Sequence, residues 1–154
     1  MGLTIDQVPS EEVREVEEFF AQSSISDFRE FFPVEMAKFA AENFDKQEYF
    51  YAARNNDGAL AGAMHFSIQG GVGQLSAIQT KKELNEIQRE RIRHNLFQKF
   101  LKTCNEKGCH LAFMWIPYQY RSTVAVYLKH GFEKALTARN FWYKNDFMLL
   151  TKEL

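Results

Sequence analysis

The sequence predicts an α+β fold, α/β by some labels, built on a mixed, mostly antiparallel sheet of six to seven strands with helices on both faces. Three observations predict it. Gln88 to Gly108 carries apolar residues at Ile92, Leu96, Phe97, Phe100, Leu101 and Cys104, spaced by three and four, so they share one stripe of a helix. His110 to Trp115, the short apolar run that follows, fits a buried strand, and the pair reads as a helix packed on a sheet. Further strand-like runs, divided by turn residues, stand on either side of this unit.

In chain order, Leu3 to Val8 alternates weakly and reads as an edge strand. Pro9-Ser10-Glu11-Glu12 reads as a helix start, with Ser10 as N-cap and two acids where the helix dipole favours them. Val13, Val16, Phe19 and Phe20 give the stripe of a helix ending near Ser23, and Ser23 to Asp27 is a polar break. A second helix is predicted from about Pro33 to Asn43, with proline in its first turn and Met36, Phe39 and Ala40 on one face. Phe28, Phe31 and Phe32 read as core packing in preference to a wall for an acceptor.

Tyr49 to Arg54 and Ala59 to Ile68 are predicted strands, joined by Asn55-Asn56-Asp57-Gly58, residues that tolerate positive φ. Gly70-Gly71 is the next break, and Gly73 to Gln79 leads into the central helix. That helix is expected to extend N-terminal of Gln88. Thr80-Lys81-Lys82-Glu83 matches a capping box, Asn85 with Gln88 offers another, and Leu84 and Ile87 continue the apolar stripe backwards. Gly108 ends it. A shorter helix closes at Tyr127-Leu128-Lys129-His130-Gly131-Phe132, with glycine at the left-handed cap. Phe132 to Asn140 and Phe141 to Lys152 hold the last two strands, around Lys144-Asn145-Asp146.

A chain of 154 residues with 45% hydrophobic content suits one domain over 1–154. The net charge of -1, spread over both signs, gives no overall electrostatic reason to expect nucleic acid. Arg89, Arg91 and Arg93 accordingly read as a solvated helix face. Cys104 and Cys109, with no further cysteine for a zinc set, read as reduced thiols, and no metal is expected. No run reaches the roughly 18 apolar residues of a membrane span, so a cytoplasmic protein without a membrane partner is expected. His65 and His110 read as structural histidines in strands.

The order of strand, helix with a basic start, strand, helix and Tyr-x-Lys-x-Gly-Phe at Tyr127 to Phe132 resembles the GNAT superfamily of acyl-CoA-dependent N-acetyltransferases, from about Tyr49 to the C-terminus. The resemblance implies that strands four and five splay and that the pantetheine arm of acetyl-CoA lies between them, bonded to the backbone of Leu75, Ala77, Ile78 and Gln79. It implies Tyr127 as the acid that protonates the departing thiolate. In the family a Gln/Arg-x-x-Gly-x-Gly/Ala segment binds the pyrophosphate through backbone N–H groups. Here Gln88 stands on its first position, Arg91 and Arg93 on its two glycines, and Arg89 where a further glycine is common. Tyr120 stands in place of a frequent asparagine and Thr123 in place of alanine. The departures imply a remodelled loop, with coenzyme A held mainly by arginine side chains. The function implied is acyl transfer, acetyl in the first instance, to an amine of a small molecule or peptide, with room for a homodimer. The alternative is a protein of the same shape that binds a ligand without catalysis. No Asp or Glu lies between Gly70 and Gln79 to serve as base.

Overall fold

The computed structural model describes residues 2–23 and 47–154. Among these, seven strands form one sheet: β1 (Thr4–Gln7), β2 (Gln47–Arg54), β3 (Leu60–Gln69), β4 (Val72–Thr80), β5 (Leu111–Pro117), β6 (Glu133–Trp142) and β7 (Asn145–Glu153), in the order β1-β2-β3-β4-β5-β7-β6. Every neighbouring pair is antiparallel except β4 with β5. Three helices accompany it: α1 (Val13–Ser23), α2 (Glu86–Glu106) and α3 (Arg121–Lys129). The expected helix at Pro33 to Asn43, the phenylalanines at 28, 31 and 32 and the break after Ser23 lie outside the described residues. No helix among the described residues is long and apolar enough to cross a membrane.

Alternation along each strand sorts the core onto two faces. Val16 and Phe20 of α1 are fully buried against Phe50, Ala52, Ala63 and Ala77 on one face. On the other, Ile92, Leu96, Phe100 and Cys104 of α2 pack on Met64, Phe66, Leu75, Ala112 and Met114. Close approach is needed there, and bare backbone provides it. A Cβ on Gly62 would stand 2.6 Å from Ile92 Cγ2, and one on Gly73 would stand 2.4 Å from Cys104 Sγ. Burial pushes the Cys104 thiol up to about 12, which makes it a packing group without nucleophilic character.

Four local readings need correction. Ser10 opens a 3-10 turn (Ser10–Glu12) ahead of α1 and makes no cap bond to the backbone. Of the two capping boxes, the one at Asn85 is formed, and Thr80 closes β4. Ile87 is 77% exposed and continues no stripe, whereas Leu84 does pack on the core. Finally, Phe141 and Trp142 stay on β6, and the turn falls at Tyr143 and Lys144 with φ of 50° and 59°. These residues are not typical of left-handed backbone. The turn is tied instead by Asn145 Nδ2 donating to the Tyr143 carbonyl at 2.9 Å, and Trp115 stacks on Phe141 at 4.7 Å.

Candidate functional site

The parallel pair sets the place of the site. β4 and β5 hydrogen-bond only where Val72, Gly73 and Gln74 face Leu111, Ala112 and Phe113. Beyond that β4 runs on to Thr80 and β5 to Pro117 with no further pairing between them, while their outer edges stay paired to β3 and β7. The strands therefore part, and the facing edges of Leu75 to Thr80 and Met114 to Pro117 have no strand partner. A bulge at Ser76, where the register steps from Phe66↔Leu75 to His65↔Ala77, marks the opening.

Helices α2 and α3 follow these two strands, so their first turns stand beyond the ends that separate, the usual place for a ligand at a parallel pair. Between them lies a pocket of about 350 Å³. Helix α2 contributes Glu86, Glu90, Arg93, His94 and Phe97, one face at helical spacing, and α3 contributes Ser122, Thr123, Val126, Tyr127 and His130. Tyr127 packs on Phe97 with ring centres 5.1 Å apart and on Phe132 at 6.0 Å. Burial pushes its phenol up to about 12, against the nearby Arg93 and with Glu90. It stays protonated at any ordinary pH.

The other end of the pocket is charged. Helix α2 begins at Glu86 because Asn85 caps it: the Asn85 side chain accepts from the Gln88 backbone N–H at 2.9 Å, and the Gln88 side chain accepts from the Asn85 N–H at 3.2 Å. Arg93 lies 2.8 Å from Glu86 and also bonds Glu90, and its hydrogen bond to Glu90 holds that carboxyl below the usual range. Arg89 donates to Thr80 Oγ1 at 3.2 Å, with Glu86 3.6 Å away.

The sequence-derived residues divide accordingly. Leu75, Ala77, Ile78 and Gln79 lie on the stretch of β4 that faces the gap. Tyr127 and Arg93 line one pocket, Gln88 serves as a cap, Arg89 turns to β4, and Arg91 is exposed outside the lining. Glu86, Glu90, His94 and His130 were missed. The spacing of Glu86, Glu90, Arg93 and His94 on one helix face was a usable signal, but the 5.8 Å contact of His94 with His130 joins two helices and has no local signature. His65 is elsewhere: it is 2% exposed, with Nε2 at 2.7 Å from Glu48 Oε2 between β2 and β3. Its Nδ1 and Glu48 Oε1 have no hydrogen bond among the described residues. Among the described residues no group of three or more His, Cys, Asp and Glu could hold a metal.

What the structure offers a pantetheine thioester is the unpaired edges of β4 and β5 and, on α2 and α3, the apolar Phe97 and Val126 with the phenol of Tyr127. The pyrophosphate of coenzyme A would find no backbone cradle at Arg89, Arg91 and Arg93. With α2 helical from Glu86, the N–H groups of Arg89, Arg91 and Arg93 point along the helix to carbonyls one turn back, and Arg89 N–H reaches the Asn85 carbonyl at 3.0 Å. A side-chain carboxylate, Glu86, already stands at the positive end of the dipole.

No family model matches the sequence, and no curated protein is significantly similar to it. Solved structures are similar in fold. The ribosomal-protein-S18-alanine N-acetyltransferase from Escherichia coli superposes with a TM-score of 0.78 at 15% identity, over 99% of this chain and 94% of that one. An acetyltransferase of the GNAT family from Streptococcus pneumoniae gives 0.74 at 17% identity, over 99% of each chain. An IAA acetyltransferase from Bacillus cereus gives 0.73 at 15%, over 99% of this chain and 100% of that one.

Proposed function

We propose, from a chain that has the GNAT acetyltransferase fold, that it is an N-acyltransferase moving an acyl group from a pantetheine thioester, acetyl-CoA being the donor the fold suggests, to an amine of a small molecule or peptide. The observation that carries this reading is the parting of β4 and β5 after Gln74 and Phe113, with Tyr127 in the pocket beyond it. Amides of a pantetheine arm would pair with the free edge of β4 at Leu75, Ala77, Ile78 and Gln79, as an added strand does. The neutral amine attacks the thioester carbonyl, a C–N bond forms and the C–S bond breaks. The phenol of Tyr127 gives its proton to the sulfur as negative charge builds there, and the proton lost by the amine restores the phenol. β4 carries no carboxylate to take that proton on the way, which leaves water or a more distant group as its carrier.

The second reading, a binding protein without catalysis, is favoured by one observation, the carboxylates Glu86 and Glu90 where an anionic donor would enter. Thiol release from acetyl-CoA and other acetyl thioesters across a panel of amines separates the two. Amine-dependent release with matching amide formation supports the transferase. Thioester binding without amide formation from any amine would replace it with the second reading.

A further inference from the structure

We infer that the acceptor selected here carries an aromatic ring close to its amine, as a free arylalkylamine or as an aromatic residue at a peptide N-terminus; this rests on the transferase reading and names its substrate class. The feature that carries it lies on the face of the sheet away from Tyr127. Ala112, Met114 and Ile116 of β5 turn to the core under α2, where Tyr127 also packs, so alternation turns Phe113 and Trp115 to the opposite face. Both are half-buried. Trp115 belongs to the stretch of β5 left unpaired once β4 parts from it, so it stands on the strand that borders the gap. The core under α1 reaches only as far as Ala77 of β4 and takes in no residue of β5, β6 or β7.

Beside Trp115 the backbone bends to supply a second ring. Regular alternation from Ala138, which pairs with Phe147, would turn Phe141 toward the α2 face. Instead the β6–β7 register breaks between Ala138 and Trp142, Asn140 takes a φ of 49°, and its N–H donates to Asp146 Oδ1 at 3.0 Å. The bulge brings Phe141 across β7 onto Trp115, with ring centres 4.7 Å apart and planes 26° from parallel. Phe141 is still 54% exposed, so core packing does not account for it. Leu149, opposite Trp115 on β7, is half-buried and extends the same uncharged surface. Stacked rings of this kind favour a flat aromatic group over a flexible alkyl chain. An acceptor lying on them presents its amine to the gap from the face opposite Tyr127, which leaves the phenol free to meet the departing sulfur. Aromatic faces also attract an ammonium group, which makes a diamine the rival ligand.

The test measures amide formation from acetyl-CoA with phenethylamine, a short peptide beginning with phenylalanine, butylamine and putrescine, in the wild type, Phe141→Ala, Phe141→Tyr and Trp115→Leu. In the wild type kcat/KM is expected to favour the two aromatic acceptors over butylamine and putrescine by roughly tenfold, the better of the two naming the source. The ratio of kcat/KM for phenethylamine over butylamine is expected to fall about tenfold in Phe141→Ala and in Trp115→Leu, through KM more than kcat, and to return in Phe141→Tyr. Phe141 is exposed, so its alanine variant reports on binding without loss of the fold, which circular dichroism checks. A wild-type preference for butylamine or putrescine, or an unchanged ratio in both variants, overturns the inference and leaves the transferase intact. Absence of amide from every amine overturns both.

Discussion

The two ends of the α2–α3 pocket are made by different means. At the inner end the determinant is one tyrosine wedged between Phe97 and Phe132, on the helix that follows β5, whose edge is free because its parallel pairing with β4 stops after three residues. At the outer end they are side-chain charges whose positions depend on where α2 begins. The free edge at the first follows from topology, so any sequence able to make this sheet produces it. The second kind depends on a capping box of four residues. Helix capping, normally a matter of stability, here sets where Glu86, Glu90 and Arg93 stand in the pocket.

The sharpest way to break this contrast is Tyr127→Phe. Both ring contacts survive, so the fold should be kept, while turnover with the best thioester falls by roughly a hundredfold or more. Unchanged turnover, with circular dichroism unaltered, would remove the inner end from the chemistry. Arg93→Ala addresses the outer end. It leaves Glu86 and Glu90 without their shared cation, and acetyl-CoA should bind roughly fivefold more weakly in calorimetry at low salt, in line with about 1 kcal/mol for a partly exposed ion pair. Acetyl-pantetheine serves as the control, and an equal loss for both would mean that Arg93 shapes the whole pocket.

Asn85→Ala removes both bonds of the capping box. About 1 kcal/mol of stability should go with them, seen as a fall in Tm of about 2–4 °C for a chain of this size. An unshifted Tm would mean that packing of Leu84 and Ile92, and not the cap, fixes the start of α2. The smallest effect concerns pH. Tyr127 has its pKa raised to about 12, so any role of its protonated form persists through pH 10 and is lost only as pH rises toward 12. Glu90 is shifted the other way: its pairing with Arg93 is present above the ordinary carboxylate pKa and is lost as pH falls through its lower folded value. Donor selectivity should accordingly be the same at pH 5.5 and pH 8. A swing toward acetyl-CoA at pH 5.5 would show that Glu90 and its pairing with Arg93 do not govern the outer end.

The order of elements was legible because each rests on a local signal. The spacing of Ile92, Leu96 and Phe100 gives α2, Asn55 to Gly58 gives the β2–β3 turn, and Gly131, with φ of 90°, closes α3. Where two local signals competed, tertiary structure chose. Thr80 was needed to finish β4, facing Arg89, so the cap passed to Asn85. The β6–β7 turn was placed a residue late, at Lys144-Asn145-Asp146, because Tyr143 carries no turn signature, and what holds the turn is the neighbouring Asn145 side chain. At the site, Tyr127 could be found from its motif, but the pairing of Arg93 with Glu86 and Glu90 could be read only once the start of α2 was known.

The short joint between β4 and β5 also bears on how the sheet comes together and moves. β2, β3 and β4 close through successive hairpins, as do β6 and β7, each over short loops that cost little chain entropy. The three rungs from Val72 to Gln74 span the whole α2 crossover, so they carry a high loop-closure cost for few bonds. The joint is thus the line along which amide exchange should be fastest among paired strands. A molecule lying in the gap as an added strand would supply the missing rungs, and slowed exchange on both sides at once would be its signature.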